Sequence, residues 1–378
     1  MNTLMKFAAL SFLVGLYVGC SPVKFSLDES KCNDLSGSCV VENGKFAFNY
    51  SATVGAGKVD ILIVNDNSAS MSFEQARLAP RFTNFISDLD TRLVDYRIAM
   101  TTTDVTAGRG GKLIPYKEGT YFLTKQHGDR MSLFNSTIQR PETLSCEKFI
   151  ANWIRQNNGS ISSINSAQYS AEYEKNCPSG DERGIYAANL VVENNPMNFI
   201  RNDAHLAIIF LSDEDERSGL YNGHGYVLDQ RDQPGYLIQN VKSELGVEKF
   251  NSLSVHAIVV KDSTCLAQQN SQTLDNYSPT QGLVNGSIGH KYLEITNAGW
   301  GKAADICSSD YTSQLGQIRS KITDQIKDIM LNCANPFDLV VTVSGTPVNY
   351  TLQGKVLKFE QNLAVGTSVS LSYKCENI

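Results

Sequence analysis

Three oxygen-bearing side chains occupy alternate positions directly after an apolar segment. Asp66, Ser68 and Ser70 follow the sequence VDILIV at 59–64, with Asn65 between. Alternate residues of an extended turn point the same way, so these side chains are expected to converge on one point. A carboxylate with two hydroxyls suits a hard cation such as Mg²⁺, which takes about six oxygen ligands and keeps some waters. The stretch therefore predicts a cation site at the end of a strand.

A second acidic segment follows another apolar stretch. Asp213 is the first acid after residues 205–211, and Glu214, Asp215 and Glu216 come next. Ligands of open α/β sheets lie beyond the carboxyl ends of the strands, where neighbouring strand ends meet. Asp213 is therefore expected to supply the second carboxylate of the cation site. The alternative for these acids is a solvated acidic loop.

Capping is the alternative for the first segment. Asp66, Ser68 and Ser70 precede a helical pattern, and aspartate and serine are favoured at helix N-termini. That pattern has an apolar stripe made of Phe73, Ala76, Ala79, Phe82, Ile86 and Leu89. Pro80 is expected to kink or disturb this helix. A second apolar stripe runs through residues 311–329.

The elements that must position these residues alternate between strand and helix. The predicted strands are nearly continuously apolar, as strands buried on both faces of a parallel sheet are. They are residues 59–64, 96–101, 205–211 and 254–260. Strand and helix in alternation predict an α/β fold with a doubly wound, mostly parallel sheet.

Composition divides the chain into segments. The predicted domains are a signal peptide at 1–19, a tether at 20–57, the main α/β domain at 58–332 and a β domain at 333–378. A polar, cysteine-flanked insertion at about 105–180 interrupts the main domain near one edge of its sheet. Four short alternating strands separated by turns predict that the C-terminal domain is a small antiparallel β module. The end of the tether, 44–54, is expected to add an edge strand.

The sequence VDILIVNDNSASM resembles the D-x-S-x-S metal-ion-dependent adhesion site (MIDAS) of von Willebrand factor A (vWA) domains. Asp66, Ser68 and Ser70 match that motif position by position, and Asp213 matches its distal aspartate. The resemblance implies a vWA fold with Mg²⁺ as the cation and Mn²⁺ or Ca²⁺ as alternatives. It also implies a partner, either a protein or a glycan, that offers a carboxylate or carbonyl oxygen to the cation.

The resemblance extends beyond the motif and includes one departure. Residues 199–216 and 292–307 are similar to bacterial lipoproteins that carry a vWA domain, over about 58–332. Standard domains offer a threonine from an intervening loop, but Glu182 stands in the corresponding loop of this chain. A glutamate there implies tighter cation binding and weaker acceptance of an anionic partner. The alternative is that Glu182 interacts with the dipole of the following helix.

The N-terminus predicts export and lipidation. Residues 7–18 form an apolar run after Lys6, too short to span a bilayer and typical of a signal peptide. The sequence Tyr17-Val18-Gly19-Cys20 resembles the lipobox of bacterial lipoproteins, in which the cysteine is lipidated. The serine after Cys20 implies a lipid anchor in the outer membrane of the cell envelope. The alternative is an ordinary signal peptide followed by a structural cysteine.

Cysteine usage is consistent with an oxidising compartment. Of the nine cysteines, eight remain when Cys20 is set aside, enough for up to four disulfides whose connectivity the sequence leaves open. Sequential pairing is favoured because each pair closes a local excursion. The candidate pairs are Cys32–Cys39, Cys146–Cys177, Cys265–Cys307 and Cys333–Cys375.

Several functional classes lack sequence support. The net charge is −6, only 19% of residues are charged and no basic run occurs, so nucleic acid is not an expected partner. The five histidines show no zinc-binding spacing, and no G-x-S-x-G nucleophile motif occurs. The chain is therefore not expected to be an enzyme.

The leading hypothesis is an envelope lipoprotein that binds a partner through a divalent cation. The second is a structural or scaffolding protein of the envelope, in which the cation only stabilises loops. Hydrolysis at the metal is a third and weaker hypothesis.

Overall fold

The computed structural model describes Cys32 and residues 38–378, apart from 217–226, 272–285 and positions 56, 93, 107, 118, 310, 362 and 365. The predicted signal peptide, the lipidation site Cys20 and most of the first half of the predicted tether lie outside the described residues. Within the described part, no helix has both the length and the apolar character needed to cross a membrane.

The strands and helices alternate along the middle of the chain. The strands are β1 (Ser38–Glu42), β2 (Lys45–Thr53), β3 (Lys58–Asn65), β4 (Asp95–Thr102), β5 (Phe122–Leu123), β6 (His205–Ser212), β7 (Leu253–Val259), β8 (Ala303–Asp305), β9 (Ile329–Met330), β10 (Phe337–Val343), β11 (Thr346–Pro347), β12 (Tyr350–Gln353), β13 (Val356–Phe359) and β14 (Ser368–Cys375). The helices are α1 (Ser72–Thr91), α2 (Arg130–Ile138), α3 (Pro141–Gln156), α4 (Ala167–Asn176), α5 (Gly184–Asn194), α6 (Pro234–Asn251), α7 (Ser263–Asn270), α8 (His290–Ile295) and α9 (Thr312–Ile326).

A six-stranded, mostly parallel sheet forms the centre of the main unit. Its strand order is β5-β4-β3-β6-β7-β8. Strand β3 pairs in parallel with both β4 and β6, whereas only β5 runs antiparallel to its neighbour. The chain is thus a mixed α/β protein with a mostly parallel sheet, as the alternation of strand and helix patterns predicts.

Both faces of this sheet are buried. In β3, Ile61 and Ile63 pack into one hydrophobic cluster, which also contains residues of α1 and α9. The alternate residues Leu62 and Val64 pack into a second cluster with residues of α5 and α6. Because both faces need apolar side chains, the strand lacks the polar alternation of a one-sided sheet.

Helix α1 differs from its predicted apolar stripe at its first turn. Phe73 is 45% exposed, whereas Glu74 and Gln75 are buried. The first turn lies beside the polar strand ends, where hydrogen-bonding side chains are needed, and the apolar stripe faces the core only farther along. Pro80 is accommodated within one helical span, so no break accompanies it.

The C-terminal β module uses strands from both ends of the described chain. Strand β14 pairs with β10 on one side and with β2 on the other. Residues 38–53, predicted to belong to the tether, therefore form two strands of the C-terminal sheet. Strand β1 lies at the edge of this sheet, and β2, which covers most of the predicted edge strand 44–54, is an inner strand. The physical reason is that Phe46 and Phe48 of β2 are buried against the core of this module. Strand β9 also pairs with β13, so the pairing begins before residue 333.

Four disulfides crosslink the chain. They are the sequential pairs Cys32–Cys39, Cys146–Cys177, Cys265–Cys307 and Cys333–Cys375. Within the insertion, Cys146–Cys177 joins α3 to the residue that follows α4. The predicted insertion thus contains the edge strand β5 and a crosslinked helical hairpin made of α3 and α4.

Candidate metal site at the carboxyl edge of the sheet

The two acidic segments meet because their strands are neighbours. Asn65, the last residue of β3, pairs with Leu211 of β6. The backbone N–H of Asp66 then donates to the carbonyl of Leu211 over 2.9 Å. Parallel pairing brings the carboxyl ends of β3 and β6 to the same edge, so residues that follow these strands lie together.

A chain of hydrogen bonds joins the predicted ligands. The hydroxyls of Ser68 and Ser70 are 3.1 Å apart, and Ser70 donates to Asp213 Oδ1 over 3.2 Å. Asp66 Oδ1 accepts from the backbone N–H of Ser68 over 2.8 Å. Its second oxygen accepts from the hydroxyl of Ser212 over 2.7 Å. Asp66, Ser68, Ser70 and Asp213 therefore form one connected group.

Burial makes this group electrostatically costly. Asp66 and Asp213 are each 0% exposed. Burial raises the pKa of Asp213 well above its usual value, and the charges of Asp66, Glu74 and Glu214 raise it further. Asp213 Oδ2 is buried and has no hydrogen-bond partner among the described residues. A buried carboxylate oxygen without a partner costs free energy unless a proton or a cation satisfies it.

The donor set fits a hard cation. Carboxylate and hydroxyl oxygens are the ligands that Mg²⁺, Mn²⁺ and Ca²⁺ take, and Asp66, Ser68, Ser70 and Asp213 offer only such oxygens. The alternative of helix capping receives no support, because α1 has Met71 at its N-cap and no side-chain cap. The solvated-loop alternative also does not apply to Asp213 or Glu216, which are 0% and 3% exposed.

Glu182 is buried and accepts a hydrogen bond from the segment that follows β4. It is 2% exposed, and its Oε2 accepts from the hydroxyl of Thr103, just after β4, over 2.8 Å. The backbone N–H of Arg183 donates to the carbonyl of Thr103 over 3.2 Å. The structure thus joins the loop of Glu182 to the end of β4, which is the neighbour of β3 on the side opposite β6.

Only one compact group of possible metal ligands is found among the described histidines, cysteines and acids. It comprises Cys265, Asp305 and Cys307, whose ligand atoms lie within 4.8 Å of one another. Cys265 and Cys307 are bonded to each other, so neither offers a thiolate. Asp66, Asp213 and Glu182 do not form such a group, and any cation held there uses serine hydroxyls and waters as well.

Comparisons with known proteins leave the family open. No protein-family model matches the chain, and no curated protein matches it. Among solved structures, the open conformation of the pilus adhesin SpaC from Lactobacillus rhamnosus GG has a TM-score of 0.35 at 13% identity, over 90% of this chain and 44% of that one. Proximal thread matrix protein 1 from the mussel byssus has a TM-score of 0.35 at 10% identity, over 75% and 51%.

These structural neighbours are a pilus adhesin and a byssus matrix protein. The chain spans about half the length of these solved structures. At such TM-scores the likeness carries no inference about function, so function has to be argued from the residues.

Glu216 has a role that the sequence did not reveal. Its two oxygens accept from the backbone N–H groups of Ile185 and Tyr186, over 2.7 and 2.9 Å, and so cap α5. The hydroxyl of Tyr292 also donates to it, over 2.9 Å. A Cβ on Gly184 would come within 2.6 Å of that hydroxyl, which explains the glycine at the start of the helix. Glu216 is therefore an acid that interacts with this helix N-terminus.

Ser212 and Glu74 are further residues of the site that the sequence reasoning missed. Ser212 directly precedes Asp213, so its position at the same strand end was a usable signal. Glu74 is 0% exposed, accepts from Gln269 over 2.8 Å and adds to the negative potential at Asp213. The apolar stripe predicted for α1 includes Phe73, so the sequence pattern does not indicate that Glu74 is buried.

Proposed function

We propose that this chain is a vWA-type binding protein that holds a divalent cation at a MIDAS-type site and engages a partner through it. The ligands are Asp66, Ser68, Ser70 and Asp213. Glu182 is a fifth ligand, either directly or through a water. The cation is Mg²⁺, with Mn²⁺ and Ca²⁺ as alternatives.

One observation carries the proposal. Asp213 Oδ2 is a buried oxygen without a hydrogen-bond partner, beside the carboxylate of Asp66 and two serine hydroxyls. No lysine or arginine among the described residues forms an ion pair with Asp66 or Asp213. A cation would satisfy the unpaired oxygen and offset the repulsion between the two carboxylates.

The strand order of the main unit is compatible with this assignment. A mostly parallel sheet with buried faces is what a doubly wound vWA fold requires, and the motif stands where β3 ends. A bound cation with one open coordination position takes a carboxylate or carbonyl oxygen from a protein or glycan partner. We propose no reaction at this site and place the chain in the cell envelope, anchored to the outer membrane through lipid on Cys20.

A second candidate function follows from the depth of the carboxylates. Asp66 and Asp213 are both 0% exposed, which favours a cation that stabilises the loops of an envelope scaffold. In that case the partner contacts lie elsewhere on the molecule.

Asp66→Ala separates the two candidates. Material from the envelope or from host cells is passed over immobilised protein with and without EDTA. If the cation mediates binding, the variant stays folded but retains no EDTA-sensitive partner. If the cation only stabilises loops, the variant unfolds more easily but keeps its partner.

A matched control is Asp338→Asn, which removes an exposed carboxylate from the β module. Its side chain is 70% exposed and lies 3.6 Å from Lys374. This variant should match the wild type in both assays. Wild-type protein whose melting temperature does not change with Mg²⁺, Mn²⁺ or Ca²⁺ would contradict both candidates.

A further inference from the structure

Buried polar side chains from other elements donate hydrogen bonds to the loop that carries Asp66. Gln75, in the first turns of α1, is 1% exposed and donates to the carbonyl of Asp66 over 2.7 Å. Its amide nitrogen also lies 3.4 Å from Asn65 Oδ1. Gln75 Oε1 in turn accepts from the backbone N–H of Arg140 over 2.9 Å. One side chain therefore ties the loop to the start of α3.

The segment that receives this bond makes further contacts with the same loop. We call residues 138–143, from the last residue of α2 to the first turn of α3, the α2–α3 corner. The side chain of Asn65 donates to the carbonyl of Ile138 over 2.8 Å. The hydroxyl of Thr143 donates to the carbonyl of Asn67 over 2.8 Å. Each of the consecutive residues 65, 66 and 67 is thus bonded to the corner or to Gln75.

Apolar packing reinforces these bonds. Ala69, between Ser68 and Ser70, is 6% exposed and packs in a cluster with Cys146, Ile150 and Ile154 of α3. Cys146 is crosslinked to Cys177, which holds α4 against α3. The insertion therefore forms the support on which the D-x-S-x-S loop rests.

We infer that Gln75 and the α2–α3 corner position the Asp66 loop for its cation. This inference rests on the proposed function, because it concerns the affinity of the same site. Gln75 is a positioning residue, since its side chain bonds the loop backbone and contributes no free oxygen to the ligand set. Cation ligands must be held near their binding geometry, and groups that orient them typically change metal affinity by about 10- to 100-fold when removed.

Two substitutions remove hydrogen bonds to the Asp66 loop and leave every proposed ligand side chain unchanged. Gln75→Leu removes the bonds to Asp66 and Arg140, and we expect the affinity for Mn²⁺ to fall about tenfold or more. Thr143→Val keeps the side-chain volume and removes only the hydroxyl that bonds Asn67, so a smaller fall is expected. Free Mn²⁺ is measured by electron paramagnetic resonance as the full chain is titrated.

The matched control is Thr137→Val in the neighbouring helix. Thr137 is 5% exposed and donates to the carbonyl of Leu133 over 2.8 Å, within α2. The control makes the same chemical change at a similar burial but leaves the loop bonds intact. Its affinity for Mn²⁺ should stay within about twofold of the wild type, although its thermal stability falls like that of Thr143→Val.

The outcomes separate the inference from the proposed function. If the wild type binds Mn²⁺ and Thr143→Val binds it equally well, the inference is overturned, even where Gln75→Leu fails to fold. An equal loss of affinity in Thr137→Val would also overturn it, since general destabilisation would then explain the result. A wild type that binds no Mn²⁺ overturns the proposed function and the inference together.

Hydrogen exchange supplies an independent readout. Because coupling between two sites is reciprocal, bound Mn²⁺ should slow amide exchange in the α2–α3 corner of the wild type. The same cation should leave exchange there unchanged in Asp66→Ala. Unchanged exchange in wild type that binds Mn²⁺ counts against the inference.

Discussion

The two ends of strand β3 each bury an aspartate, but they satisfy its charge differently. At the amino end, Asp60 is 0% exposed and accepts from the backbone N–H and the Nε of Arg201, over 2.6 and 2.8 Å. Arg201 also bonds Asp95 over 2.8 Å. The cation for this end of the sheet is therefore built into the chain.

The carboxyl end has acids without such a cation. Asp66 and Asp213 are just as buried, and their described partners are hydroxyls and a backbone N–H. Burial raises the pKa of Asp60 as well, but Arg201 and Lys249 act in the opposite direction. At Asp213 the charges that act are Asp66, Glu74 and Glu214, all of which raise the pKa. Among the described residues, only the amino end thus has a cationic side chain beside its buried aspartate, and this difference is the reason for proposing a bound cation at the carboxyl end.

The largest expected effect comes from removing the built-in cation. Arg201→Met leaves Asp60 buried without its partner, and breaking a buried pair in this way costs about 3–5 kcal/mol. The free energy of unfolding from urea titration should fall by that amount. Arg97→Met is the control at the same edge, because Arg97 donates to the backbone carbonyls of Asn198 and Phe199 and stacks over the Phe122 ring but pairs with no carboxylate among the described residues. A loss below about 1 kcal/mol in Arg201→Met would show that Arg201 is not the stabilising counter-charge of the buried Asp60.

The opposite edge should respond to added cation instead. At a Mg²⁺ concentration 100 times its dissociation constant, the wild type should gain about 2.7 kcal/mol in stability. Asp213→Asn should lose that gain, since an amide replaces a carboxylate ligand. Without cation, the variant should be at least as stable as the wild type because one of two repelling carboxylates is gone. Calorimetry with Mg²⁺ and with EDTA measures the stability of each protein with and without the cation. Equal gains from Mg²⁺ in the wild type and in Asp213→Asn would contradict a cation bound at the carboxyl edge.

Acid should weaken the amino edge through His205, the first residue of β6. Burial, and next the charge of Lys249, lower the pKa of His205 to about 4. The unfolded chain has a pKa near 6.5, so it binds more protons than the folded protein between about pH 4 and 6.5. The contribution of His205 to the free energy of unfolding is therefore fully present above about pH 6.5. It is lost as the pH falls towards 4, by up to about 1.4 kcal/mol per pH unit.

The matched variant for this pH dependence is His205→Gln. Its unfolding free energy, measured by urea titration from pH 7 to 5, should show a shallower decline than that of the wild type. Parallel curves for the two proteins would show that His205 does not titrate in this way.

The smallest effect is expected at the rim of the amino edge. Lys58 and Asp203 form an ion pair whose side chains are 38% and 49% exposed. Solvent and salt screen such pairs, so the coupling energy should be below about 1 kcal/mol. A double-mutant cycle with Lys58→Met and Asp203→Asn measures it. A coupling energy as large as the effect of Arg201→Met would mean that solvent exposure does not explain the difference in strength between the Lys58–Asp203 and Arg201–Asp60 pairs.

Several elements could be predicted because local pattern and tertiary context agree. Strands 59–64 and 205–211 were predicted within one residue at each end, since both faces of each strand are buried and no polar residue interrupts them. Asp66 and Asp213 were placed at one edge because parallel strands end together. The first turn of α1 could not be predicted, because Glu74 is buried by partners from distant parts of the chain.

The sequence alone determined which oxygen-bearing side chains are candidate ligands and where the strands before them end, because hydrophobic pattern and residue spacing are local properties. Only the tertiary structure decided that residues 38–53 complete the C-terminal sheet, that Glu182 bonds Thr103, and that Asp213 Oδ2 has no described partner. These facts depend on contacts between residues far apart in the chain, and a spacing rule contains no information about which distant polar groups meet.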